Sequence, residues 1–227
     1  MKQSLVLDRK MAGLLLVDFQ EEQRSDPLYK VAEFANVIAN AQALLDSARR
    51  NGLGVFHAAY KRDFKRVPPR PFEPVAKDGA PSFSDVSNPA TEICREVTPL
   101  PGEMVIIKND ARAFCEGDLL PALRQAQIDW LIVAGVWSEA CVAASVRDAI
   151  ASGFHVLLVK DACGSGTEAM HEVAILNLAN RLYGGAVADT ARACALMAGQ
   201  AAEVWTPERP APILFEYETA RADYQAL

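Results

Sequence analysis

The chain has 227 residues, 51% of them apolar, enough to close one large α/β core without disulfides or a structural metal. Its net charge of -6 leaves no basic footprint, which argues against nucleic acid and anionic membrane surfaces as partners and favours a small neutral or polar molecule. The five cysteines (Cys94, Cys115, Cys141, Cys163 and Cys194) are spread out and free of CxxC spacing, the pattern of free thiols in a reducing compartment. No leader-like or membrane-length apolar run is present, so the expected location is the cytoplasm.

In chain order, residues 12–17 form an apolar run that stops at Asp18 and predicts a strand. Residues 31–50 place Phe34, Val37, Ile38, Ala41, Leu44, Leu45 and Ala48 at helical spacing, and Asn51-Gly52 ends that helix. Strands are expected at 53–58 and 104–107, the second running into Lys108, followed by a helix over 116–127. A strand at 130–134 leads through Gly135 into a helix over 138–151. The remaining elements are a strand at 155–159, a helix over 168–182, a strand at 186–188 and a helix near 189–201. Continuous apolar strands alternating with amphipathic helices predict a doubly wound, mostly parallel six-stranded sheet covered on both faces, a Rossmann-like three-layer sandwich.

The whole chain, 1–227, reads as one domain with two interruptions. Residues 61–102 carry eight of the 13 prolines and the charged run Lys61-Arg62-Asp63-Phe64-Lys65-Arg66. An insertion of that length without regular structure suits a lid, a binding loop or an oligomer contact. From about 203 to 227 the chain, with Pro207, Pro210 and Pro212, reads as an extended arm.

Ligands of open α/β sheets sit beyond the carboxyl ends of the strands. Asp18, Lys108 and Cys141 fall at or just past three such ends, giving one rim a carboxylate, an ammonium and a thiol. Cys141 lies in the first turn of its helix, where free N–H groups and the positive dipole end favour thiolate. Taken singly, the three residues also fit a solvated acid, a surface lysine and a small buried hydrophobe.

Leu14-Leu15-Leu16-Val17-Asp18-Phe19-Gln20, Lys108 with Ala113-Phe114, and Gly135-Val136-Trp137-Ser138-Glu139-Ala140-Cys141-Val142 resemble, in order and spacing, the isochorismatase-like cysteine hydrolase superfamily. That group includes nicotinamidases, N-carbamoylsarcosine amidases, ureidoacrylate and biuret hydrolases and isochorismatases. The resemblance spans roughly residues 11–195 and implies a cofactor-independent hydrolase that forms a thioester at Cys141. It implies Asp18 as general base and Lys108 as the charge partner between them. An oxyanion hole at the backbone N–H groups of Trp137 and Cys141 and a cis peptide at Val136–Trp137 are implied as well. It further implies a homo-oligomer, a dimer or tetramer.

Departures from relatives narrow the reading. The Asp-x-His motif of metal-dependent nicotinamidases is missing after the second predicted strand, and His57, His155 and His171 are scattered, so no metal is expected. True isochorismatases often lack the cysteine, so its presence favours C–N cleavage of a small amide, carbamoyl or ureido compound. Phe19, Gln20, Phe114 and Trp137 are candidate substrate-binding residues. Gln20 alternatively holds the loop after the first strand, and Trp137 alternatively packs on the 61–102 insertion. The Lys61–Arg70 stretch either supplies a cation for a substrate or is a solvated charge run. Competing readings are a nicotinamidase-type or isochorismatase-type hydrolase, a catalytically silent binding member of the same fold, and a flavodoxin-like nucleotide binder. The first strand ends in Asp-Phe-Gln rather than a phosphate loop, which counts against the last.

Overall fold

A computed structural model describes residues 1–207 and 213–227. The strands are β1 (Lys2–Leu5), β2 (Ala12–Val17), β3 (Gly54–Tyr60), β4 (Met104–Lys108), β5 (Trp130–Val136), β6 (His155–Gly164), β7 (Ala186–Ala188) and β8 (Ala202–Trp205). Helices are α1 (Glu22–Ser25), α2 (Phe34–Asn51), α3 (Leu119–Gln125), α4 (Ala143–Ala151), α5 (Glu168–Ala179), α6 (Thr190–Met197) and α7 (Ala220–Ala226). A π turn, Ser138–Val142, joins β5 to α4.

The sheet runs β1-β8-β7-β6-β5-β2-β3-β4. Six central strands, β7 to β4 in that order, are parallel, as expected. β8 and β1 extend the edge antiparallel, making eight strands rather than six. Both extra strands are only four residues long, β1 is largely exposed and β8 carries Glu203 amid its apolar residues, so no continuous apolar run marks them. Alternation along the central strands splits the core in two. Leu14, Leu16, Ile132, Ala134 and Val136 face α2 and α6; Leu15, Val17, Leu131 and Val133 face α3, α4 and α5.

The segment expected as an extended arm from residue 203 has regular structure at both its ends. Its start completes β8, and its end is α7, which packs on α5 of the same chain. Pro210 and Pro212 lie outside the described residues. The 61–102 insertion folds back over the carboxyl ends of the strands with two single-turn helices, at Pro89–Thr91 and Arg95–Val97, and isolated bridges such as Gln20 to Ile93.

Chain order reverses between β2 and β5. The chain winds outward through β3 and β4, returns to β5, and then winds the other way through β6 and β7. The crevice beyond their carboxyl ends is the usual ligand position of such sheets. Close approach of β2 and β5 there demands a glycine. A Cβ on Gly135, at φ +154°, would lie 2.4 Å from the Val17 carbonyl oxygen.

Candidate active site

Asp18 leaves β2 in a left-handed conformation (φ 56°), its N–H donating to the Ala58 carbonyl at 2.8 Å. That turn aims its carboxylate across the ends of the neighbouring strands. Oδ1 accepts the Tyr60 N–H at 2.8 Å, and Oδ2 meets the Lys108 Nζ at 2.9 Å. Lys108 reaches in from the end of β4, over the Tyr60 ring with Nζ 4.8 Å from its centroid, and donates to the Asp110 carbonyl at 3.1 Å. Lys108 is 0% exposed and Asp18 3%. Removing an ion pair from water to this degree is costly, and close opposite charges with further hydrogen bonds are what offset it.

Cys141 completes the group from the far side of β2. Burial opposes charge on Lys108, but Asp18 and Cys141 beside it outweigh that and hold its ammonium more firmly protonated than usual. Burial, followed by the Asp18 charge, pushes the Cys141 thiol well up, and Lys108 opposes only part of the rise. A helix terminus on its own favours a thiolate; here the balance is reversed, because desolvation outweighs the dipole at a site this buried. The charged form of the Cys141 sulfur is thus disfavoured where it stands beside Asp18 and Lys108.

The backbone around Cys141 is irregular. The Val136–Trp137 peptide bond is cis. The Trp137 carbonyl accepts the N–H groups of Ala140 (3.0 Å) and Val142 (3.2 Å), the second spanning five residues as in a π turn. π turns recur at functional sites because they shift one residue out of the regular helical ladder; here that residue is Cys141. The Ser138 hydroxyl anchors the turn by donating to the Gly164 carbonyl at 2.9 Å.

These groups open into a cavity of about 750 Å³ lined by Asp18, Cys141, Trp137 and Val136, by Glu22, Gln23, Leu28 and Tyr29, by Tyr60, and by Arg70, Phe83 and Ser84 of the insertion. Of the four candidate substrate contacts, Trp137 alone is among the lining residues. Its indole N–H donates to Gln23 Oε1 at 2.8 Å, and its ring lies against Gly166, where a Cβ would come within 2.8 Å. Phe19 is 2% exposed and sits in the core on the α2 side, because the left-handed turn at Asp18 sends the next side chain inward. Gln20 is fully buried, its amide donating both hydrogens to the Tyr60 (2.9 Å) and Thr91 (2.8 Å) carbonyls and accepting the Tyr60 N–H (2.9 Å), so it is held as a structural tie away from the cavity lining. Phe114 packs on the opposite core layer, 6.5 Å from the Phe154 ring.

From the Lys61–Arg70 stretch only Arg70 lines the cavity. Lys61 pairs with Glu92, Arg62 with Glu73 and Arg66 with Glu116. Tyr29, Tyr60, Phe83, Glu22 and Gln23 are the site residues that periodicity missed. Tyr60 was within reach, since it ends β3 as Asp18 follows β2 and Lys108 ends β4. Tyr29 and Phe83 come from irregular segments, and Glu22 and Gln23 from the single-turn α1, all too short or irregular to carry a pattern.

The histidine rings are engaged by protein groups. His57 Nε2 lies 3.1 Å from Glu103, His155 Nδ1 lies 2.8 Å from the Gly184 carbonyl, and His171 bridges the Ser138 and Tyr224 hydroxyls at 2.7 and 3.0 Å. Glu21, Cys94 and Glu96 bring ligand atoms within 4.8 Å of one another, but the two carboxylates already share the Arg24 guanidinium, at 2.9 and 3.0 Å. Among the described residues no helix is long and apolar enough to cross a membrane.

The isochorismatase domain model matches residues 12–192. The chain is similar to maleamate amidohydrolase of Pseudomonas putida, 30% identical over 194 residues that cover 82% of this chain and 86% of that one. It is similar to N-carbamoylsarcosine amidase of an Arthrobacter species, 31% identical over 137 residues, 56% of this chain and 49% of that one. Among solved structures it resembles an isochorismatase from Pseudomonas putida at a TM-score of 0.68 and 26% identity, covering 82% of this chain and 92% of that one. The match begins at β2, which delivers Asp18, and runs past the π turn that carries Cys141; the chain belongs to the isochorismatase family.

Proposed function

We propose that the protein is a cysteine amidohydrolase that cleaves the C–N bond of a small amide, carbamoyl or ureido compound. The observation that carries this reading is the buried Asp18–Lys108 pair beside Cys141 in the wall of the cavity. The names of two relatives, maleamate amidohydrolase and N-carbamoylsarcosine amidase, support the same bond class.

Cys141 transfers its proton to Asp18 as its sulfur attacks the substrate carbonyl carbon. A thiol raised by burial makes this coupled transfer necessary, since a standing thiolate would be scarce at neutral pH. Negative charge moves onto the carbonyl oxygen, which the N–H groups of Trp137 and Cys141 receive; removing one such donor typically costs about 3 kcal/mol of barrier. Asp18 then gives the proton to the departing nitrogen, leaving a thioester on Cys141. Water attacks that thioester, Asp18 accepts its proton, and the acid product leaves with the thiol restored. Lys108 keeps its charge throughout and fixes the Asp18 carboxylate by the 2.9 Å contact.

An ammonia-release screen over maleamate, N-carbamoylsarcosine and simple ureido compounds tests the reaction. Turnover is expected with wild type and absent with Cys141→Ala. Rapid acid quench and intact-mass measurement should show an acyl adduct on Cys141; turnover that survives Cys141→Ala overturns the mechanism.

A further inference from the structure

The cavity wall contains an acid for which the mechanism has no use. Glu22, on α1, is 5% exposed and accepts the Ser84 hydroxyl at 2.5 Å. The other charges around the cavity are matched. Asp18 is paired with Lys108 at 2.9 Å, and Asp110 with Arg70 at 3.0 Å. Among the described residues no Lys, Arg or His pairs with Glu22, and the largest influences on its carboxyl are burial, Ser84, Asp18 and Asp26. Burial pushes its carboxyl above the usual range, Ser84 opposes, and the charges of Asp18 and Asp26 add to the rise. The uncompensated group in the wall is therefore acidic, and a positive charge brought into the cavity would stabilise its ionised form.

The rest of the wall suits a cation. Tyr29 and Phe83 stand with ring centroids 5.2 Å apart, and Tyr60 stacks on Phe83 at 5.6 Å, with Trp137 also lining the cavity. Aromatic faces beside a buried carboxylate form the usual receptor for organic ammonium groups. A substrate carboxylate would meet Arg70 already bound to Asp110 and would lie in the field of Glu22.

We propose that Glu22, with the Tyr29 and Phe83 rings, selects amides or ureides that carry an ammonium group. The proposal rests on the hydrolase reading above. It sets this chain apart from its relative named for maleamate, whose substrate carries a carboxylate.

Three linear amides of matched length test it: 4-aminobutanamide (cationic), pentanamide (neutral) and glutaramate (anionic). Binding to Cys141→Ser protein is measured by calorimetry, and ammonia release by the wild type is measured in parallel. The cationic amide should bind tightest and the anionic one weakest. Glu22→Gln keeps the Ser84 hydrogen bond and should reduce the cationic-to-neutral preference roughly 10- to 100-fold, the scale of a hydrogen bond to a charged group. If that variant fails to fold, Glu22→Asp serves in its place, with a weakened but surviving preference expected. Tighter binding of glutaramate, an unchanged preference in Glu22→Gln, or no binding of any of the three overturns the proposal. If the order holds without ammonia release, the cation site stands and the hydrolase reading falls. If ammonia is released with the order reversed, the hydrolase reading stands and the cation site falls.

Discussion

Replacing Lys108 by Met would remove the buried ammonium while keeping most of its volume, leaving the Asp18 carboxylate in a dry site. The pair stands at 2.9 Å with both side chains almost wholly buried. At an effective dielectric of about 20 such a contact is worth about 6 kcal/mol before desolvation is subtracted. Removing one member of a buried pair typically costs about 3–5 kcal/mol, because the survivor remains buried and charged. The companion variant Asp18→Asn retains an acceptor for the Tyr60 N–H and loses both the charge and the oxygen that accepts from Lys108. Urea unfolding followed by tryptophan fluorescence should place Lys108→Met about 3–5 kcal/mol below wild type. The double variant should cost less than the sum of the singles by about 2–3 kcal/mol. A loss under about 1 kcal/mol, the range of exposed pairs, or strict additivity in the double variant would refute the account of the pair as buried and coupled.

Asp18→Asn should also separate two properties that usually move together. It removes a charge that raises the Cys141 thiol, so iodoacetamide should label Cys141 faster than in wild type while turnover disappears; slower labelling would contradict the electrostatics. Glu103 is held down to about 2, because the Arg49 guanidinium, the Leu100 N–H and His57 outweigh the burial that would raise it. Its folded value lies below the ordinary 4.5, so its contribution, about 3 kcal/mol, is complete above that value and is lost as pH falls through 4.5 towards 2. Acid titration of stability should show this slope in wild type and a flatter one in Glu103→Gln. Gly135→Ala would drive a methyl into the Val17 carbonyl at 2.4 Å and should destabilise by about 3 kcal/mol or more, read as a lowered urea midpoint. A midpoint unchanged by that substitution would mean that β2 and β5 approach less closely than described.

The six parallel strands are legible in the sequence because burial on both faces writes them as unbroken apolar runs such as Leu131 to Ala134. For β6 the run shows only as far as Val159, since Lys160-Asp161 interrupts it although pairing with β5 resumes at Cys163. β1 and β8 are short and carry the exposed Lys2, Gln3 and Glu203, and they leave no such trace. Asp18, Lys108 and Cys141 are visible because the strand-end rule is local to each strand. The cavity wall is not, since Tyr29, Phe83 and Arg70 come from irregular segments that meet only after folding. Adjacency to Asp18 suggests the wall for Phe19 and Gln20, and a single left-handed residue sends them elsewhere.

Gln20 acts as a clasp between two parts of the molecule that answer to different demands. Its amide grips both backbone groups of Tyr60 and the Thr91 carbonyl, and the Tyr60 N–H is shared between Asp18 and Gln20. The Asp18 carboxylate and the root of the insertion are thus set by the same buried fastening, while residues 63–83 between those anchor points make no hydrogen bond to Gln20. That span still reaches the same centre by other contacts, since Arg70 pairs with Asp110, whose carbonyl accepts a hydrogen bond from Lys108, and Phe83 stacks on Tyr60. Exchanging it while keeping Arg70 and Phe83 should change what enters the cavity and leave the Asp18–Lys108 pair in place.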